Sequence, residues 1–229
     1  MLCRNLMLQP QSGEDLSFTD SRKASSWSRG DIKAAGEKGI LTGDPEGTFR
    51  PLDRITRGEV ATMLVRVIGT PIQSAGTYSN SVSGNLMVST SGVTLENMTV
   101  TGDLYITPGV GLGYVTLNNV TVYGQIIASG AGESNKGDAS IILKNCTAPE
   151  MIVDSPTNQY VTIRTVGNTD IDRVYIRTNT YLEGKSTGRH GFDYVEVDGE
   201  EGTQLDLAGN MHEVVTMSPK STINVGSGT

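Results

Sequence analysis

Three segments of the chain can be laid over one another: GVTLENMTVTGDLYI from Gly92, YVTLNNVTVYGQIIA from Tyr114 and SIILKNCTAPEMIVD from Ser140. Leu95, Leu117 and Leu143 fall in one column, and Asn97, Asn119 and Asn145 fall in a second, two residues later. The leucine column continues more loosely through Ile163, Leu182, Leu205 and Ile223, in steps of 22, 26, 20, 19, 23 and 18 residues. Short Val, Ile and Thr strands repeating at this period, separated by Gly, Asn or Asp corners, specify coils that stack on one another with their apolar residues inward. The expected architecture is therefore a parallel β-helix of about seven coils. With rungs about 4.8 Å apart, its core would be a rod roughly 30 Å long. GAGESNKGD, inside the 26-residue step, reads as a solvent loop projecting from one coil.

Upstream of Pro71 the character of the sequence is different, and helical. Thr56 can cap a helix while Glu59, three residues on, reaches back to complete a capping box, with Ile55 and Val60 as a hydrophobic staple. Val60, Met63, Leu64, Val67 and Ile68 then form the apolar stripe of a half-buried helix, which Gly69 and Pro71 end. An earlier helix starts near Ser25 or Ser26 and runs through Trp27, Ile32 and Ala35 to a left-handed cap at Gly39. Between them GDPEGTFRP is turn sequence. This gives an extension over 1–15, a helical module over 16–70 and the β-helix over 71–229.

Composition narrows the function classes. The net charge is −7 and the isoelectric point about 4.9, so attraction to nucleic acid or to an anionic membrane surface is not expected, and an anionic ligand must be caught by local geometry. No apolar run is long enough for a transmembrane helix. Cys3 and Cys146 lie in different segments without metal spacing and read as free or buried thiols. MLCRNLMLQP is too short and too polar for a complete signal peptide, which implies a trimmed or incompletely defined N-terminus.

FTD, SSW, KGILTG, GTFRP and ITRGE occur in this order and spacing between Leu16 and Gly69, and together they resemble an S-layer homology repeat. The resemblance implies a secreted bacterial surface protein held on secondary cell-wall polysaccharide. Family members commonly arrange three repeats around a threefold centre; one is present here, so a threefold groove would need three chains or missing sequence, and self-association is the natural inference. By position the resemblance points to Asp20, Trp27, Gly43, Asp44, Arg57 and Glu59 as residues near a glycan groove.

Arg57 has the strongest physical case, because its permanent cation sits in the first turn of a helix, where free N–H groups also favour an anion. Trp27 could stack on a sugar face and Asp44 accept hydroxyl hydrogen bonds. Each has a plainer reading: Trp27 as core, Asp44 as turn chemistry, Glu59 as the capping box alone. Gly58 stands where the family usually has Ala, which should weaken the helix start by up to about 1 kcal/mol.

The asparagine column has three readings. NMT, NVT and NCT are N-x-T sequons; their recurrence at the coil period favours instead a ladder of stacked amides at a tight turn; calcium binding comes third, because amides lack charge. Parallel β-helices also resemble pectate lyases and related polysaccharide enzymes, a resemblance that implies a right-handed coil and raises the question of catalysis. Asp170, Asp172, Arg173 and Arg177, or Asp193, Glu196 and Asp198, are the only candidate clusters, and such charges usually form a solvated face. His190 and His212 are isolated, and HEVVT is not HExxH. The expectation is a non-enzymatic structural protein without cofactor or metal, homo-oligomeric or polymeric, with a wall-anchored polysaccharide-binding or lyase-like protein as the alternative.

Overall fold

A computed structural model describes residues 18–133, 140–156, 160–187 and 191–226. The chain divides into two compact units at the Ile68–Gly69 junction. Leu16, Cys3, His190 and most of the GAGESNKGD loop lie outside the described residues.

The rear unit is a parallel β-solenoid, as the repeat predicts. One face stacks Gly76–Tyr78, Val93–Val100, Val115–Val122, Ile141–Lys144, Tyr160–Gly167, Thr180–Ser186, Gln204–Gly209 and Thr222–Val225, each parallel to the next. A second face stacks Thr70–Ile72, Leu86–Val88, Leu104–Ile106, Gln125–Ala128, Thr147–Val153, Asp170–Ile176, Gly191–Val197 and Glu213–Thr216 in the same way. A short third face joins them through Val82, Val100, Val122, Ala148 and Ile171 and their neighbours. Leu95, Leu117, Leu143, Val100 and Ile126 are fully buried inside this tube.

The register corrects the looser half of the leucine column. Leu143 lies opposite Thr165 rather than Ile163, and Leu182 opposite Leu207 rather than Leu205. Strand side chains alternate with period two, so a two-residue slip keeps the same face inward and the apolar pattern alone cannot detect it.

Each corner has its own chemistry. Asn97, Asn119 and Asn145 have φ of 51°, 57° and 53°, and Gly167, the next residue of the column, has φ of 64°. The column is thus defined by a left-handed backbone, which Asn tolerates and β-branched residues do not. The asparagines are exposed rather than facing buried backbone groups. Asn119 Nδ2 donates to Asn97 Oδ1 at 2.9 Å, whereas Asn145 Oδ1 accepts the backbone N–H of Asn168 at 2.9 Å.

At another corner Gly84, Gly102 and Gly124 stack backbone on backbone, with N–H to O=C distances of 2.9 and 3.1 Å. A Cβ on Gly102 would lie 2.6 Å from the Gly84 carbonyl carbon.

In the front unit, helix α1 spans Ser26–Glu37 and helix α2 spans Arg57–Ile68. Gly39, at φ 68°, closes α1: Ile40 N–H donates to Ala35 O at 2.9 Å, the six-to-one bond of a Schellman end, and the two side chains pack together. Phe18, Ala24 and Ile32 form a second small core, with the Phe18 and Phe49 rings stacked at 5.4 Å. Helix α2 buries Val67 and half-buries Met63 and Ile68, but Val60 and Leu64 are exposed at 39% and 45%. The expected stripe is covered only toward its C-terminal end, because Ala35 and Ile40 pack there while the Leu52–Ile55 segment remains in solvent.

The left-handed corner sets a test. Asn119→Gly should leave stability nearly unchanged, whereas Asn119→Val should cost ~1–2 kcal/mol or more, read from urea unfolding. Gly102→Val should be more damaging than either, since backbone occupies the space its side chain needs.

Candidate functional site

The front unit has a cleft of about 530 Å³ between the 40–55 segment and helix α2, lined by Gly43, Asp44, Arg50, Arg54, Glu59 and Arg66 among others. Its wall is a closed turn. Asp44 accepts the Thr48 N–H at 2.8 Å and the Thr48 hydroxyl at 2.5 Å, while its own N–H donates to Thr48 O at 3.0 Å. Gly43 enters this turn at φ 68°, and a Cβ there would lie 2.8 Å from both the Phe18 ring and Thr48 O, so only glycine fits.

Arg50 ties the turn to the helix. Its guanidinium pairs with Glu59, lies 3.5 Å from Asp44 and 3.9 Å from Asp53. Its backbone is left-handed, φ 55°, immediately before Pro51. A non-glycine residue is held there only when its surroundings over-determine it. They do: Asp20 accepts the N–H groups of Phe49 and Arg50, each at 2.8 Å.

The capping box is complete. Glu59 accepts from the Thr56 N–H and hydroxyl, both at 2.7 Å, and its N–H donates to Thr56 Oγ1 at 3.2 Å. Glu59 therefore serves the helix cap with one oxygen and Arg50 with the other.

These contacts set the electrostatics. The Phe49 N–H first of all holds the Asp20 carboxyl below its ordinary range, the Thr48 hydroxyl does so for Asp44, and the Thr56 N–H for Glu59. The bond to Glu59 raises Arg50.

Of the six residues singled out from sequence, Gly43, Asp44 and Glu59 line the cleft. Asp20 acts on its wall through backbone bonds. Trp27 is 81% exposed on the first turn of α1, neither core nor cleft lining. Arg57 is exposed at the start of α2 and is not part of the lining either. Arg50, Arg54 and Arg66 were not singled out. GTFRP showed a turn, but nothing in it marks the arginine before a proline as the residue that joins three acids.

Several of the candidate charges of the solenoid have partners outside their own cluster. Arg177 pairs with Asp198 at 3.1 Å, Asp193 with His212 at 2.8 Å, and Glu196 accepts the Tyr194 hydroxyl at 3.1 Å. Asp172 and Arg173 are exposed, and Arg173 lies between Glu150 and Tyr194 in the register. Among the described residues no three His, Cys, Asp or Glu side chains are grouped to hold a metal ion. Cys146 is buried, with its thiol pushed up to about 11 by desolvation.

Residues 17–61, which span the cleft wall, the Arg50 hub and the capping box, match the S-layer homology domain family. The front unit is an S-layer homology domain. The chain is 30% identical over 91 residues to the middle cell wall protein of Brevibacillus brevis (strain 47), covering 38% of this chain and 8% of that protein. It is 42% identical over 66 residues to an endoglucanase of Bacillus sp. (strain KSM-635), covering 29% of this chain and 7% of that protein, through the S-layer homology region. The chain thus spans less than a tenth of either relative's length. No solved structure matches it significantly.

The depressed carboxylates fix a pH dependence. A carboxylate whose folded pKa lies below its unfolded value lends stability above the unfolded pKa and loses it as pH falls through the folded one. The S-layer homology domain should therefore lose stability on acidification below about pH 4. Glu59→Gln should destabilise it at neutral pH and make the acid dependence shallower, read as urea midpoints from the helical circular dichroism signal.

Proposed function

We propose that this chain is a structural protein of the bacterial cell surface. Its S-layer homology domain holds secondary cell-wall polysaccharide or a neighbouring subunit, and its solenoid is a rigid, non-catalytic, self-assembling block. The observation that carries the reading is the cleft, whose turn and helix are locked by Arg50 while further cations stand at its edge. Arg54 lines it, and Arg57 occupies the first turn of α2; both are exposed and form no ion pair among the described residues. With the free N–H groups of the helix start they suit an acidic sugar substituent. The similarity to a protein named as a cell wall protein supports the location.

Exposed apolar residues support assembly: Trp27, Leu52, Ile55, Val60, Leu64 and Val65 on the domain, and Met217 and Val225 on the solenoid.

Sedimentation with Gram-positive sacculi, native and stripped of secondary polymer, tests the anchoring. Binding should require the polymer, and Arg54→Ala or Arg57→Ala should each weaken it about tenfold, the loss of one charge-assisted hydrogen bond of ~1.5 kcal/mol. Equal sedimentation with stripped sacculi would overturn it.

A further inference from the structure

The first half of the solenoid carries almost no charge. From Gly69 to Ala131 the sequence contains no Lys or Arg and only two acids, Glu96 and Asp103. Asp103 is 4% exposed, and its carboxylate accepts the Gln125 N–H at 2.9 Å, so Glu96 is the one charge left near the surface. Beyond Ser140 charged residues return in every coil: Lys144, Arg164, Asp170, Glu183, Glu196 and Glu213 are examples.

The neutral surface is also ordered. Thr77, Thr94 and Thr116 stand in adjacent register on the outward side of the first face. Thr99, Thr121 and Thr147 do the same on the third face. Between these two columns runs the exposed asparagine corner, with Asn97 and Asn119 joined through their amides. Tyr123 stands exposed two residues beyond Thr121. Thr94, Thr99, Thr116 and Thr121 lie between buried apolar neighbours, so the strand alternation fixes them outward. Parallel rungs about 4.8 Å apart make the whole a lattice of hydroxyls, amides and methyl groups at a constant spacing.

An anionic polymer finds no counter-charge on this strip, whose one carboxylate is Glu96 between Thr94 and Asn97. An uncharged polysaccharide fits it: sugar hydroxyls are donors and acceptors, as are threonine and asparagine side chains, and the C–H face of a pyranose ring suits the threonine methyls and the Tyr123 ring. A repeating chain meets a repeating surface, so many weak contacts add along its length. We propose that the Thr/Asn/Thr strip of the first coils binds an uncharged pyranose polysaccharide, at a site separate from the acidic-polymer cleft.

The test is retention of the full chain on insoluble cellulose and on chitin, at low and at high salt, with three variants: Tyr123→Ala, Thr99→Lys/Thr121→Lys and Arg57→Ala. Retention on at least one polymer should persist in high salt. It should fall at least tenfold in the first two variants, with unchanged far-ultraviolet dichroism, and be unaffected by Arg57→Ala. Because Arg57 belongs to the S-layer homology domain, that last variant leaves the strip untouched, and failure of one site does not imply failure of the other. No retention on either polymer would overturn the proposal, as would retention abolished by salt or undiminished in both strip variants. Concentration-dependent self-association lost in the strip variants without any polysaccharide would make the strip a contact between copies, and would overturn it too.

Discussion

Parallel pairing between successive coils is the interaction on which the solenoid depends. Each strand uses its backbone groups on the coil before and the coil after, so no backbone polar group inside the stack needs water. The pairing is continuous only if every coil turns its corners in register. Left-handed residues at Asn97, Asn119, Asn145 and Gly167 make one corner, and the contact of Gly84, Gly102 and Gly124 makes another. The apolar core follows: once the corners are fixed, alternation drives Val93, Leu95, Met98 and Val100 into the same interior as their counterparts one coil later. The exposed lattice of threonines is the other half of that alternation, so the core and the proposed neutral binding surface come from one constraint.

In the S-layer homology domain a single side chain has a comparable position. Arg50 is fixed from behind by Asp20, through the backbone, and in front by Asp44, Asp53 and Glu59, through its guanidinium. Exposed ion pairs are individually weak, but these share one cation that is already ordered. The cost of its left-handed backbone is met by bonds that also shape the cleft. Glu59 links this hub to the helix cap, so the geometry of the cleft and the start of α2 are coupled.

Much of this was legible in the sequence because it rests on local chemistry. The capping box at Thr56 and Glu59, the glycine end at Gly39 and the periodic Leu/Asn columns all follow from spacing and residue type. What was not legible depends on register or on distant partners. Thr165 rather than Ile163 faces Leu143, since a two-residue shift leaves the pattern unchanged. Asp20 lies 29 residues from its partner Phe49, and Arg50 meets acids on both sides of its turn. Trp27 is exposed where a lone tryptophan would ordinarily be core, and Val60 and Leu64 on the apolar face of α2 are exposed as well.

Under the proposed function the two units divide the work, with ionic recognition in the helical domain and a repeating surface in the solenoid. Hydrogen–deuterium exchange of the full chain, with and without purified acidic secondary cell-wall polysaccharide, tests this division most directly. Protection should appear in peptides covering 40–66 and leave the solenoid peptides unchanged. Protection confined to the solenoid, with the 40–66 peptides unaffected, would contradict it.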